Sequence, residues 1–306
     1  MKTTQTLLKS ALIGLSVLFA SVATAKTITV EHQMGKTTLE SKPQNVVVLG
    51  QDSLDVLDAI GVEPVGVVKA HLPSYLSKYK GDKYKAAGSL FEPNFEAIYN
   101  MKPDLIIVSN RSSGSMEELS KIAPTVLFLA DSKDYWGSTQ KAWRMLGKIF
   151  EKEQKVEELI ASQDKQIQAL KAANQNGDSR ALAIITSGGK VAAFGVESRY
   201  GYIHSLFGFK QAADGIEAKS HGEHISYEYI SKANPDVLIV LDRDEAIGAS
   251  QGEARKQLDN ALIKKTNAYK NNKITYLNAP VWYITASGVT ATQIMIDDMK
   301  RAHAAK

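Results

Sequence analysis

The chain has 306 residues, 44% hydrophobic and 23% charged, which suits a globular protein with one or two filled cores and excludes a disordered chain. Lys and Arg total 37 against 33 Asp and Glu, an excess too small and too dispersed for a nucleic-acid partner. The absence of cysteine rules out disulfides, thiolate metal sites, cysteine nucleophiles and a lipid-modified N-terminal cysteine.

At the N-terminus, Lys2 and Lys9 precede Ala11–Ala20, an apolar run of ten residues that is too short to span a bilayer. Ala23-Thr24-Ala25 supplies a small-x-small cleavage pattern. Residues 1–25 are therefore expected to be a secretory signal peptide, with the mature chain starting at Lys26. Export without disulfides or an anchor fits a periplasmic, monomeric protein.

Residues 27–41 alternate apolar and polar around Met34-Gly35, the pattern of a β-hairpin. Short β-branched runs then alternate with helical patterns. Val46–Leu49, Val65–Val68, Leu105–Val108 and Val126–Leu129 read as strands in the first half, and Ala181–Ile185, Val237–Leu241 and Ile274–Leu277 in the second. A helix near Ser53–Ile60 ends at Gly61. Continuous apolar strands separated by helices predict parallel sheets covered on both faces, an α/β architecture. Between Gly137 and Ala173, Trp143, Leu146, Phe150, Val156, Ile160, Ile167 and Leu170 recur at helical spacing. This stretch is expected to be a rigid helical connector, broken once near Glu151. The expected organisation is an N-terminal lobe over 26–136, the connector over 137–173 and a C-terminal lobe over 174–306.

The strongest signal is an internal repeat. Residues 94–111 (NFEAIYNMKPDLIIVSNR) and 226–243 (SYEYISKANPDVLIVLDR) align at a constant offset of 132, with no gap. Glu96 matches Glu228, Pro103-Asp104 matches Pro235-Asp236, and Arg111 matches Arg243. Each copy reads as a helix, a Pro-Asp break, a buried strand and an Arg just past the strand end. The period is too long for a solenoid, so the two lobes are related units facing each other.

Ligands in open α/β sheets sit beyond the carboxyl ends of the strands, where Arg111 and Arg243 fall. The chain has 30 Lys and only 7 Arg, so an Arg at both places is informative: its planar fork suits anion recognition. Arg199, in GVESRYG, follows the apolar stretch Val191–Phe194 and joins them as a candidate. His221 and His224, in SHGEHIS, could hold a metal, but their spacing is not that of a zinc protease. His32, His71, His204 and His303 read as structural or solvent-facing. Trp282 and Tyr283 are placed on a loop after the last strand, where they either line a cleft or plug the core.

These features resemble the ferric-siderophore subgroup of periplasmic binding proteins that serve ABC importers, with the catecholate binders of the enterobactin and vibriobactin type as the nearest match. The resemblance rests on the two helix–Pro-Asp–strand–Arg units, the helical connector, SRYG, HGEHIS and WYITASG, and it covers 26–306. It implies the siderophore/cobalamin-type fold, two Rossmann-like lobes joined by a long helical spine. It also implies that Arg111, Arg199 and Arg243 surround an anionic iron–catecholate centre, beside Trp282. His221 and Tyr283 would be protein ligands to ferric iron within the bound chelate, and Glu96 and Glu228 would dock onto the permease. His224 matches no known role. No permanent cofactor and no catalytic residue are implied. The chemistry agrees: ferric iron is hard and prefers anionic oxygen donors, and three guanidiniums match the charge of a tris-catecholate complex.

Haem or cobalamin binding on the same fold is the alternative reading, since Tyr283 could ligate haem iron. Bare zinc or manganese capture would require more clustered histidines. A hydrolase lacks support: Ser187-Gly188-Gly189 has no visible His–acid partner, and Gly35-Lys36-Thr37 lacks the first P-loop glycine, with Val at position 30.

Overall fold

The computed structural model describes residues 27–219 and 221–304; the expected signal peptide lies outside the described residues. No described helix is long and apolar enough to cross a membrane.

The chain opens with the expected hairpin, β1 (Ile28–His32) and β2 (Gly35–Leu39), turning at Gly35 with φ 129°. The first sheet is then laid down by β3 (Val46–Val48), α1 (Gln51–Ile60), β4 (Gly66–Val67), β5 (Lys85–Ala86), α2 (Phe95–Asn100), β6 (Leu105–Val108), α3 (Met116–Ser120) and β7 (Thr125–Leu127). Its order is β5-β4-β3-β6-β7, with every pairing parallel. β3, β4, β6 and β7 are buried on both faces, in keeping with their mostly apolar sequence, while the short edge strand β5 is exposed.

Two helices follow, α4 (Tyr135–Phe150) and α5 (Glu153–Asn176). The break falls at Glu151, whose φ of 56° is left-handed. Their buried stripe includes Trp143, Leu146, Phe150, Val156, Ile160 and Ile167, the positions expected from the helical spacing.

The second sheet is built from β8 (Arg180–Ser187), β9 (Lys190–Phe194), α6 (Tyr202–Ser205), β10 (Lys210–Gln211), β11 (Glu223–Ile225), α7 (Tyr227–Ala233), β12 (Val237–Asp242), α8 (Arg243–Ala246), α9 (Glu253–Leu258), α10 (Asn267–Lys270) and β13 (Ile274–Tyr276). The chain ends in α11 (Val289–Ala304). The sheet order is β11-β9-β8-β12-β13, with β10 beside the start of β8. This sheet is mixed rather than wholly parallel. β8 and β9 form an antiparallel hairpin through Gly188-Gly189, both at positive φ, and β11 adds a second antiparallel edge strand. The apolar stretch 191–194 is thus a strand of the cleft wall.

The repeat has a physical basis. Asp104 accepts the backbone N–H groups of Gln44 and Asn45 at 2.7 and 2.9 Å, just before β3. Asp236 accepts that of Arg180 at 3.0 Å, at the start of β8. In each lobe the Pro-Asp aspartate ties the repeat strand to its neighbour, β6 to β3 and β12 to β8. The helix before it is capped in both copies, by Asn94 accepting from Ala97 N and by Ser226 accepting from Tyr229 N.

Candidate functional site

The three arginines predicted for the site arrive from three separate loops. Arg111 sits in a 3-10 turn (Asn110–Ser115) after β6, held by a capping box between Ser109 and Ser112. Arg243 is the first residue of α8, which Asp242 caps by accepting from the N–H groups of Asp244 and Glu245. Arg199 lies in the turn between β9 and α6.

They converge on one side chain, Tyr283. Its ring centroid lies 5.1 Å from the Arg199 guanidinium carbon, 5.7 Å from that of Arg111 and 6.0 Å from that of Arg243, within cation–π range. Arg111 Nη2 donates to the Tyr283 carbonyl at 2.9 Å and Arg243 Nε to the Tyr283 hydroxyl at 3.3 Å. Burial pushes the phenol up, but the Arg243 hydrogen bond and the charges of Arg243, Arg199 and Arg111 outweigh it. Tyr283 therefore ionises below the ordinary tyrosine value of about 10. A phenol primed to become phenolate is suited to a hard, trivalent metal.

Tyr283 belongs to a π-helical turn (Val281–Thr285), not to an irregular loop. Single π turns recur at functional sites because they re-aim consecutive side chains. Here Tyr283 faces the cleft while Trp282 faces the core. Trp282, expected to touch ligand, is fully buried, donates its indole N–H to Asp298 at 2.8 Å and stacks parallel to Tyr202. It lines the larger cleft cavity from beneath, as part of its floor.

The turn is held from all sides. Tyr135 donates its hydroxyl to the carbonyl of Ala286 at 2.5 Å, and Trp143 its indole N–H to that of Ser287 at 2.7 Å. Tyr75 donates its one hydroxyl proton to Asp55 Oδ2 at 2.9 Å, and its oxygen accepts from Thr285 Oγ1 at 3.1 Å. Asp55 in turn accepts the N–H groups of Thr290 and Ala291, the first turn of α11. Gly288 makes this approach possible, because any Cβ there would collide with the Asp55 carboxyl. Burial pushes Asp55 up to about 6 in spite of these donors.

Two adjoining cavities meet at Tyr283. The larger, about 680 Å³, is lined by Arg111, Arg199 and Lys219, and the smaller, about 190 Å³, by Arg243, Lys190 and His224. Arg199, Tyr200, His221 and Tyr283 line both. His221 is exposed in the turn before β11, and His224 lies on β11 opposite Ala192. Among the described residues, no three His, Asp or Glu side chains are grouped closely enough to hold a metal. The arrangement provides mainly cationic walls, with the carboxyl groups of Asp52 and Glu197 at the larger cavity, the Tyr283 phenol amid the guanidiniums and an exposed imidazole, which suits a chelated metal better than a bare one.

Sequence reading missed Lys190, Lys219 and Tyr200. Lys190 lies in the β8–β9 hairpin, whose Gly-Gly turn was the available signal. Lys219 has no signal among so many lysines. Tyr200 stands beside Arg199; its buried hydroxyl has no partner among the described residues, and burial pushes its pKa up to about 12, so it stays a neutral donor beside the cleft. Glu96 and Glu228 are exposed in the first turns of α2 and α7, away from the cleft walls. His204 is buried with Nδ1 2.9 Å from the Phe209 carbonyl oxygen, a structural residue as expected.

Comparison with known proteins agrees with this geometry. The chain is 48% identical to the periplasmic catecholate-siderophore binding protein VctP of Vibrio cholerae, whose crystal structure superposes with a TM-score of 0.86 over 90% of this chain and 99% of that one. It is 42% identical to the petrobactin-binding protein YclQ of Bacillus subtilis (strain 168) over 89% of this chain and 87% of that protein. It is 34% identical to the ferric-anguibactin-binding protein FatB of Vibrio anguillarum (strain ATCC 68554 / 775), over 90% and 87%. Residues 46–281 match the model of the periplasmic binding protein family, and the chain belongs to that family.

Proposed function

We propose that this protein captures a ferric catecholate siderophore between its lobes and delivers it to the permease of an inner-membrane ABC importer, working as a monomer in the periplasm. The lobes 26–136 and 174–306 act as jaws, with 137–173 as their connection. The observation that carries this reading is the convergence of Arg111, Arg199 and Arg243 on the acidified phenol of Tyr283. A catecholate complex of ferric iron is compact, aromatic and strongly anionic. The guanidiniums offset its charge and stack on its rings.

Tyr283 and His221 complete the coordination shell when the chelator leaves positions open. Iron is cargo here, carried within the chelate. Relatives of this chain are named for a catecholate siderophore, for petrobactin and for ferric anguibactin, which supports the ligand class without selecting one chelator. Glu96 and Glu228, one at the start of each repeat helix, are the anchors for the permease.

The test is tryptophan fluorescence of the mature protein titrated with ferric enterobactin, a ferric bis-catecholate, a ferric hydroxamate, haem and cobalamin. Saturable quenching by the catecholates alone is expected. Saturation by haem or cobalamin, with none by either catecholate, would overturn the proposal.

A further inference from the structure

The two docking glutamates stand in equivalent places, so they cannot by themselves tell one lobe from the other. Both are exposed first-turn residues of side-chain-capped helices, and each follows an aromatic residue, Phe95-Glu96 in one lobe and Tyr227-Glu228 in the other. A carrier with this internal symmetry would meet the importer in two orientations.

The surroundings break the symmetry. In the N-terminal lobe Phe91 is 65% exposed, Phe95 40% and Tyr99 68%. Phe95 and Tyr99 lie one turn apart on α2 and share a face. At the repeat offset, Phe95 is matched by Tyr227, but the counterparts of Phe91 and Tyr99 are Glu223 and Ser231; Tyr227 and Tyr229 on α7 are only half exposed, so the C-terminal lobe presents a smaller aromatic surface there. Three large aromatics left in water on one short segment are costly unless something covers them.

The segment is also built to hold them still. Ser89 Oγ accepts the N–H groups of Phe91 and Glu92, and Ser89 N donates back to the Glu92 carbonyl. Gly88, at φ 110°, allows a close return of the chain that a Cβ would block. Exposed Glu92 and Glu96 lie beside the aromatics. An apolar surface edged with carboxylates fits a partner whose apolar socket is edged with basic residues.

We propose that Phe91, Phe95 and Tyr99 form an apolar docking patch that seats the N-terminal lobe on one half of the importer's outer face and so fixes the orientation of the carrier. The proposal rests on the docking role given to Glu96 and Glu228. The patch adds contact area mainly on one side, and the glutamates supply charge on both.

The test uses Phe95→Ser with Tyr99→Ser; Phe91, which also lines the larger cavity, is left in place. Cells carrying either this variant or Glu96→Ala with Glu228→Ala in place of the wild-type chain are assayed for iron uptake from ferric enterobactin. Because the chain has no cysteine, a single cysteine introduced at position 92 or at position 232 reports by cross-linking which permease half each lobe meets. The aromatic variant is expected to bind ferric enterobactin as wild type does, to lose tenfold or more in uptake, and to cross-link to both halves where wild type chooses one. Normal uptake and orientation by this variant, with uptake lost in the glutamate variant, would overturn the patch alone. Normal uptake by both variants would overturn the docking reading beneath it, and no uptake by wild type would overturn both.

Discussion

Arg111 reaches across the cleft to donate a hydrogen bond to the backbone carbonyl of Tyr283 at 2.9 Å. The bond joins the loop after β6 in the first lobe to the π turn after β13 in the second, so the anion-binding group also helps to set the position of the phenol. Its planar fork allows both at once, since Nη2 is spent on the carbonyl while the other donors remain for a ligand. Arg111→Lys should keep the charge and lose the fork. Affinity for ferric enterobactin is expected to fall about 10- to 150-fold, the equivalent of one charged hydrogen bond, with the unfolding midpoint nearly unchanged. Wild-type affinity in the lysine variant would contradict this dual role.

Arg243 and His221 should separate by ligand. With a tris-catecholate the iron shell is full and charge dominates, so Arg243→Ala should weaken binding more than His221→Ala. With a bis-catecholate two positions are open, and the order should reverse. Equal losses for both ligands, measured by the same titration, would argue against direct ligation by His221.

The phenol of Tyr283 must lose its proton to ligate iron. Burial raises its pKa, but the surrounding arginines more than offset this and hold it below the ordinary value. Affinity for an open-shelled ferric bis-catecholate should therefore rise with pH below that pKa, by about tenfold for each pH unit and each proton released. Tyr283→Phe should flatten the slope and abolish the tyrosinate-to-iron absorption band. A variant that keeps both slope and band would remove Tyr283 from the iron shell.

Asp55 gives a stability signature of definite sign. Its folded pKa of about 6 lies above the ordinary value near 4, so the folded state holds this proton more tightly than the unfolded state does. The contribution is full below pH 4 and is lost as pH rises through 6, by at most about 3 kcal/mol. Asp55→Asn mimics the protonated acid, so it should gain on wild type in urea unfolding between pH 4 and pH 7.5. A wild type that instead gains on the variant over that range would mean the carboxylate is better stabilised by Thr290 N and Ala291 N than its burial suggests.

Much of the architecture could be read from the sequence because it is written in local patterns. The Pro-Asp repeat was visible as spacing, and Asp104 and Asp236 explain it, since each must pair with the backbone at the start of the next strand. The arginines stood out because Arg is scarce in a lysine-rich chain. The outcome for Trp282 was not readable: neighbours on a loop both face outward as easily as inward, and only the π turn sends Trp282 to Asp298 and Tyr283 to the cleft. The link from Asp55 to Thr290 spans 235 residues, and no local pattern announces a contact of that range. The antiparallel edge of the second sheet was missed for a different reason: the Gly188-Gly189 turn was read for its serine neighbour rather than as the hairpin it makes.

A co-crystal of the mature protein with a ferric catecholate, measured at the iron absorption edge, would place the metal directly. One anomalous peak is expected between Arg111, Arg199 and Arg243, in front of the Tyr283 hydroxyl. A peak outside this cleft, or a ligand in the cleft whose iron is turned away from all three guanidiniums, would contradict the account.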